Sequence, residues 1–511
     1  MRAADHLPDQ FNAASWFVGR HVAEGRGGDV AIVTDSERVS YGDLDRRVRA
    51  FAGALRDAGI HAGDRVALVL PDGPLFAAAF WGAIAAGAVA APLNPMILPE
   101  KLRAILADCD PRLLVFDREL VDGAAIANAN ESVRCAAWDA PEAGARLAAG
   151  KPIPDYAATH RDAFAFFLYS SGTTGEPKGV VHLQHDMWIC ARTYGEAVLG
   201  IRPSDRCFSV AKLFFAYGLG NAQYFPFDVG ASTVLFRGRP TPDAVFEQVR
   251  RHRPTLFFGV PTAYGHMLAA MERGIASDFS SVRACASAGE ALPASLFERW
   301  RERTGLEIWD GIGSTEACHM FISNRPGAVR PGSSGRPVEG YAARIVNEAG
   351  GETAPEEIGD LLVRGDSLMA LYWNKHEATK ATLAGEWLRT GDKYRRDADG
   401  FYWHAGRSDD MLKVGGIWVS PVEVEAALVS HPSVLECAVV GRRDSDGLVK
   451  PHAFVAARPG TPAEGLPEAL RAFAKERLEP YKCPRWVTIV AELPKTATGK
   501  IQRFRLRESA L

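Results

Sequence analysis

Residues 169–179 read YSSGTTGEPKG and follow directly on a strand-like run at 163–168, AFAFFL. Ser170, Ser171, Thr173 and Thr174 supply hydroxyls, Gly172 lies between the two pairs, Gly175 follows them, and Lys178 lies beyond. Glycine lets backbone N–H groups come close to an anion, hydroxyls add donors, and a lysine adds a point charge. The set suits a polyphosphate held at the end of a sheet strand. The GxxxxGK[ST] pattern is not met, so this is not a Walker A loop. A Ser/Gly-rich surface turn has the same local composition, and the stretch alone does not separate the two readings.

Towards the N-terminus the pattern alternates between helix and strand. Leu44, Val48, Phe51 and Leu55 recur at helical spacing, with Gly59 where a C-terminal cap belongs and Ser40 with Asp43 as a capping box. Residues 65–70 (RVALVL), 88–91 and 113–117 read as strands, and 75–86 as a helix. The apolar stretch 75–92 approaches spanning length but is rich in Ala and Gly and broken at Gly87, so a buried helix running into a strand is expected. This alternation predicts an α/β fold, a large N-terminal domain of stacked, mostly parallel sheets with helices.

The character changes at 406–416 (GRSDDMLKVGG), polar and Gly-rich as a linker or hinge should be. Ser420, Pro421 and Glu423 then offer an N-cap, an N1 proline and an N3 acid. Strands are expected at 434–440, 452–456 and 486–490, with a helix at 466–478. The predicted division is therefore 1–408 and a small α+β C-terminal domain at 409–511.

The 511 residues are too many for one compact core, and 47% hydrophobic with 24% charged is ordinary for a globular chain. A net charge of −3 gives no reason to expect nucleic acid or an anionic membrane as partner. The eight cysteines form no CxxC pair or Cys/His cluster, so reduced thiols are expected rather than zinc or a disulfide framework. The N-terminus lacks a basic head and apolar core, so no secretory signal is expected, and a cytoplasmic location follows.

With further motifs in order, the chain resembles the adenylate-forming superfamily: acyl- and aryl-CoA ligases, carrier-loading adenylation domains and luciferases. The motifs are 169–179, 287–293 (SAGEALP), 310–316 (DGIGSTE), 389–392 (RTGD), 406–416 and 494–503 (PKTATGKIQR). The resemblance implies ATP and coenzyme A as co-substrates and Mg2+ as cofactor. It implies nucleotide contacts at Ser170, Ser171, Gly172, Thr173, Thr174, Gly175 and Lys178. Gly289, Glu290 and Ala291 would flank adenine, with Asp310, Gly311, Ile312, Gly313, Ser314 and Thr315 beside them. Ile312 departs from the tyrosine that many members carry, but still offers an apolar wall. Asp392 and Arg407 would hold the ribose. Glu316 resembles the magnesium-coordinating glutamate, a hard oxygen ligand. Lys500, Glu316 and Thr174 are the implied catalytic residues, Lys500 bridging the substrate carboxylate and the α-phosphate, where charge builds in the first step. Asp409 resembles the hinge about which the small domain turns, bringing 413–418 against the site, with Gly415 and Gly416 leaving room for the pantetheine arm of CoA.

The stretch 211–227 (AKLFFAYGLGNAQYFPF) resembles benzoate-type CoA ligases. By that resemblance Ala216, Tyr217, Phe225, Ala288, His319 and Met320 surround a flat acyl slot for a small aromatic carboxylic acid. Phe215 stands where amino-acid-activating relatives place an aspartate, which disfavours an α-ammonium. Gln184 replaces an expected histidine and Met320 a branched aliphatic, so 2-aminobenzoate stands beside benzoate as a candidate. The expected reaction is aryl-CoA ligation, with a stand-alone enzyme loading a carrier protein as the rival and a catalytically dead binding protein as the non-enzymatic reading. A homodimer is a compatible assembly.

Overall fold

The computed structural model describes residues 1–122, 135–171, 177–408, 410–414, 417–445, 448–495 and 501–509. Two large sheets stack in the N-terminal part. One runs Leu371–Tyr372, Pro177–Leu183, Phe164–Ser171, Val89–Pro92, Arg65–Val69, Leu113–Phe116, Ala136–Asp139. It is parallel from Phe164–Ser171 onward, whereas Pro177–Leu183 turns back antiparallel against that strand. The other sheet has nine strands, parallel through its middle and antiparallel at both ends. The two stacked sheets are therefore mixed, with parallel centres and antiparallel strands at edges.

Local expectations hold where side-chain chemistry is explicit. The helix Tyr41–Asp57 begins with the capping box of Ser40 and Asp43. It ends with Gly59 at φ 74°, the N–H of Ile60 reaching the Leu55 carbonyl and that of Gly59 the Arg56 carbonyl. That is a Schellman ending, which satisfies carbonyls the helix leaves open. The apolar stretch forms the helix Pro74–Ala85, buried from Phe76 to its end, then the strand Val89–Pro92. No helix among the described residues is long and apolar enough to cross a membrane.

A third, five-stranded antiparallel sheet closes the large part: Ala342–Val346, Gly359–Arg364, Trp387–Arg396, Leu383–Ala384 and Tyr402–Arg407. The sequence reading did not anticipate it. Its central strand reads WLRTGDKYRR, with too little apolar alternation to announce a strand. Side chains from all three sheets, among them Leu68, Phe258 and Leu361, share one core.

The linker expected at 406–416 is shorter than that. Tyr402–Arg407 is still sheet, and Leu412–Val414 pairs with Ile417–Val419 as a hairpin. Leu412, Val414 and Val419 are buried in the core of the small lobe. Besides this hairpin, that lobe contains the helices Pro421–Val429, Leu466–Lys475 and Arg503–Ser509 and the strands Val434–Arg443, Val449–Ala457 and Trp486–Val490. Gly406, at φ 134°, lets the lobes approach: a Cβ there would lie 3.2 Å from Met411 Sδ and 3.7 Å from Pro421 Cδ.

Candidate active site

The hairpin Phe164–Ser171 and Pro177–Leu183 sets Ser170 opposite Lys178. Gly172, Thr173, Thr174 and Gly175, at its tip, lie outside the described residues. So do Asp409, Gly415, Gly416 and Lys500. Lys178 Nζ sits 5.0 Å above the ring of Tyr372, and the Tyr372 hydroxyl donates to Glu316 Oε1 at 2.8 Å. One phenol thus joins the hairpin of the first sheet to a carboxylate at the end of the strand Ile308–Gly313 in the second.

Glu316 lies in the short turn Thr315–Ala317, and this backbone is held from two sides. Met369 N–H donates to the Glu316 carbonyl at 2.7 Å. His182 Nε2 donates to the Thr315 carbonyl at 2.7 Å, while its Nδ1 meets the fully buried Asp186 carboxylate at 2.7 Å. Burial raises the Tyr372 phenol above its ordinary range, and Glu316 adds to the shift while the Arg407 charge opposes it.

Arg407 and Asp392 are opposite one another on neighbouring strands of the third sheet, Nη1 to Oδ1 2.9 Å apart. Burial would raise Asp392, but hydrogen bonding from His404 and the Arg407 charge hold its carboxyl below the usual carboxylate range. Asp310 is the contrasting case. It sits beside Ser287 in the second sheet, its Oδ1 has no hydrogen-bond partner among the described residues, and burial pushes it up to about 8. Both acids act on Tyr394, which is buried where the second and third sheets meet. Ala288 is buried just beyond the strand Ala284–Ser287, Gly289 follows at φ 93°, and Ile312 pairs with Ile322.

The small lobe reaches this region through its tail. Arg503 makes two 2.8 Å bonds to Glu425, lies 4.0 Å from Asp410, and feels the charge of Glu290 in the SAGEALP segment. Lys495 pairs with Ile501 in an antiparallel bridge, so the ends flanking Lys500 are pinned together. Lys495 Nζ also bonds Glu436 at 2.6 Å, and both charges reach His266 of the large part.

Of the six slot residues, three are in ring contact. His319 lies 4.5 Å from Phe225 and 5.4 Å from Tyr217 between ring centroids, with Tyr194 at 5.5 Å. Ala216, Ala288 and Met320 join them through the common core. Burial lowers His319 to about 3, so the ring is neutral near pH 7. Gln184 is buried; its Oε1 accepts from Ala13 N–H at 2.9 Å and its Nε2 donates to the Phe164 carbonyl. Tyr372, His182, Asp186 and Arg503 were not singled out from sequence. Only Arg503 stands inside a recognised motif, and Tyr372 follows from pairing of Leu371–Tyr372 with the phosphate hairpin.

The family model for AMP-binding enzymes matches residues 19–373, and that for the AMP-binding enzyme C-terminal domain matches 423–500. The chain is 46% identical to a benzoate–CoA ligase of Thauera aromatica over 98% of its own length and 97% of that relative. It superposes with TM-score 0.94 and 42% identity on an anthranilate CoA ligase, AuaEII, in complex with anthranoyl-AMP, covering 100% of this chain and 99% of the other. A benzoate CoA ligase from Burkholderia xenovorans LB400 gives 0.90 and 44%, covering 97% and 100%.

The chain belongs to the AMP-binding enzymes, the adenylate-forming superfamily, and falls with its benzoate-type members. It is an AMP-forming acid–thiol ligase of the aryl-CoA type, working through an aryl-AMP. ATP and coenzyme A as substrates fit that family.

Proposed function

We propose that the enzyme activates benzoate or a small substituted benzoate, such as 2-aminobenzoate, and passes the aroyl group to coenzyme A. A carboxylate oxygen attacks the α-phosphorus of ATP; the bond to the β-phosphate oxygen breaks and pyrophosphate leaves. The thiol of CoA then attacks the carbonyl carbon of the mixed anhydride, loses its proton, and AMP leaves with the C–O bond electrons. The first step makes a poor leaving group into a good one.

In this reading the loop 170–175 and Lys178 receive the phosphates, Asp392 and Arg407 the ribose hydroxyls, and residues 289–291 with 310–315 the adenine. Thr174 is assigned to the pyrophosphate-releasing step, and Lys500 lies between carboxylate and α-phosphate. Ala216, Tyr217, Phe225, Ala288, His319 and Met320 take the aryl ring. Residue 409 would mark the boundary of the lobes and the pivot that exchanges Lys500 for Gly415 and Gly416 between half-reactions.

Magnesium fits the donor set. Glu316 spends Oε1 on the Tyr372 hydroxyl, leaving a second hard oxygen beside the phosphate hairpin, and a single carboxylate plus nucleotide phosphates is how this ion is usually held. When bound, it would neutralise charge on the phosphates. Tyr372 keeps the carboxylate from swinging away. The location is proposed as cytoplasmic.

The observation that carries the reading is the run from Lys178 through Tyr372 to Glu316, which ties a phosphate-type hairpin to an acid loop. The test is incubation of purified enzyme with ATP, Mg2+, CoA and a panel of benzoates, with pyrophosphate and acyl-CoA both followed. Stoichiometric aroyl-CoA is expected. Pyrophosphate release without thioester, but with acylation of a phosphopantetheinyl carrier protein, would establish the carrier-loading rival instead.

A further inference from the structure

The turn Thr315–Ala317 presents three consecutive carbonyl oxygens, and each is held by a donor from another part of the chain. Ser367 Oγ donates to the Ala317 carbonyl at 2.8 Å and Met369 N–H to the Glu316 carbonyl at 2.7 Å. The Thr315 carbonyl accepts twice, from Cys318 N–H at 3.1 Å and from His182 Nε2 at 2.7 Å. Cys318 then leaves the turn at φ 66°, a left-handed value that a residue with a Cβ keeps only where its surroundings enforce it.

Of the three outside donors, His182 is the one that belongs to the phosphate hairpin. It stands in the strand Pro177–Leu183 with Lys178, and alternation along a strand puts the two on one face. Lys178 reaches the Glu316 side chain through Tyr372, and His182 reaches the backbone of the same turn at Thr315. The imidazole itself is fixed in place. Phe166 stacks on it at 5.0 Å between centroids, and Nδ1 lies 2.7 Å from Asp186 Oδ2, which also accepts from Leu183 N–H at 3.1 Å. His182 and Asp186 are both fully buried, so water cannot take over either contact.

We infer that His182, oriented by Asp186, is a positioning residue for the metal-bound nucleotide. It sets the acid turn against the phosphate hairpin, so that the strand presenting Lys178 to the phosphates also fixes where the Glu316 carboxylate stands. This rests on the reading of Glu316 as the magnesium ligand and deepens it. Groups that orient a metal ligand without touching the ion typically cost about 10–100-fold in metal affinity when removed.

The experiment measures binding directly. Dissociation constants for ATP with Mg2+, for ATP in excess EDTA and for AMP are taken by isothermal titration calorimetry on wild type, Glu316→Gln, His182→Leu and His182→Gln. His182→Leu is expected to weaken magnesium-bound ATP about 10–100-fold, while metal-free ATP and AMP bind as in wild type. His182→Gln, whose side-chain amide can still donate to Thr315, should recover most of that loss. Thioester formation from synthetic aryl-AMP, which carries no β- or γ-phosphate, should stay near wild type in both. Where His182→Leu does not fold, His182→Leu/Asp186→Asn takes its place, since it leaves no buried charge unpaired and keeps an acceptor for Leu183 N–H. With Glu316→Gln showing the selective loss, three results would overturn the inference: undiminished affinity for magnesium-bound ATP, an equal loss for metal-free ATP, or a glutamine variant as weak as the leucine one. A Glu316→Gln variant that keeps its preference for magnesium-bound ATP would overturn the metal reading of Glu316 instead.

Discussion

Arg503→Met is expected to loosen the small lobe and to slow adenylation more than thioester formation. The guanidinium makes two 2.8 Å bonds to Glu425 and stands 4.0 Å from Asp410, which Arg507 also engages. Glu425 and Arg503 side chains are only 12% and 21% exposed, so water cannot replace the lost partner. Glu425 would retain one backbone donor, the Val439 N–H at 2.7 Å. Removing one member of a buried pair costs about 3–5 kcal/mol. Burial already holds Glu425 above its usual range, with Arg503 opposing that shift, so without Arg503 it takes up a proton more readily and the cost falls at the low end. The assay is hydrogen exchange in the strand Val434–Arg443 as a function of pH, together with separate half-reaction rates. Glu425→Met/Arg503→Met, which replaces both charges by apolar side chains, should regain most of the stability but not the adenylation rate. Protection within about 1 kcal/mol of wild type, or a double variant restored in both stability and rate, would refute the positioning argument.

Tyr372→Phe removes the hydroxyl that holds Glu316, a bond to a charged group, and should lower ATP–pyrophosphate exchange roughly tenfold or more with little change in unfolding midpoint. Gly220→Ala places a Cβ 2.5 Å from His319 Cδ2 and 2.8 Å from the Tyr224 hydroxyl, so it should cost about 1–3 kcal/mol and raise KM for the acid but not for ATP. Asp310 is held at about 8 against an ordinary 3.8, so its neutral form supports the fold at low pH and that support is lost as pH climbs from 3.8 towards 8. Denaturant titrations across that window should show stability falling by up to about 1.4 kcal/mol per unit in wild type and a flatter profile in Asp310→Asn.

What could be read from the chain follows from how local the determinant is. The capping box at Ser40, the glycine ending at Gly59 and the proline-led helix at Pro421 are set by residues a few positions apart, and they form as read. The family was legible because several motifs stand in its order along the chain, where the family models match. Tyr372 was not, since its function depends on a two-residue strand pairing with a hairpin nearly two hundred positions earlier in the chain. His182 and Asp186 likewise gain meaning only where the first sheet meets Thr315. The 406–416 stretch looked like linker throughout because hairpin residues Leu412 and Val414 are too few to show a period.

In the proposed reaction a cation from the small lobe acts in one half-reaction only, and Lys500→Ala separates the two. Two rates are measured on the same protein: pyrophosphate release from ATP and the aryl acid, and CoA thioester formation from synthetic aryl-AMP. The first should be abolished and the second should stay near wild type. Equal loss in both, or adenylation that persists, would contradict the convergence of the two lobes on one phosphorus.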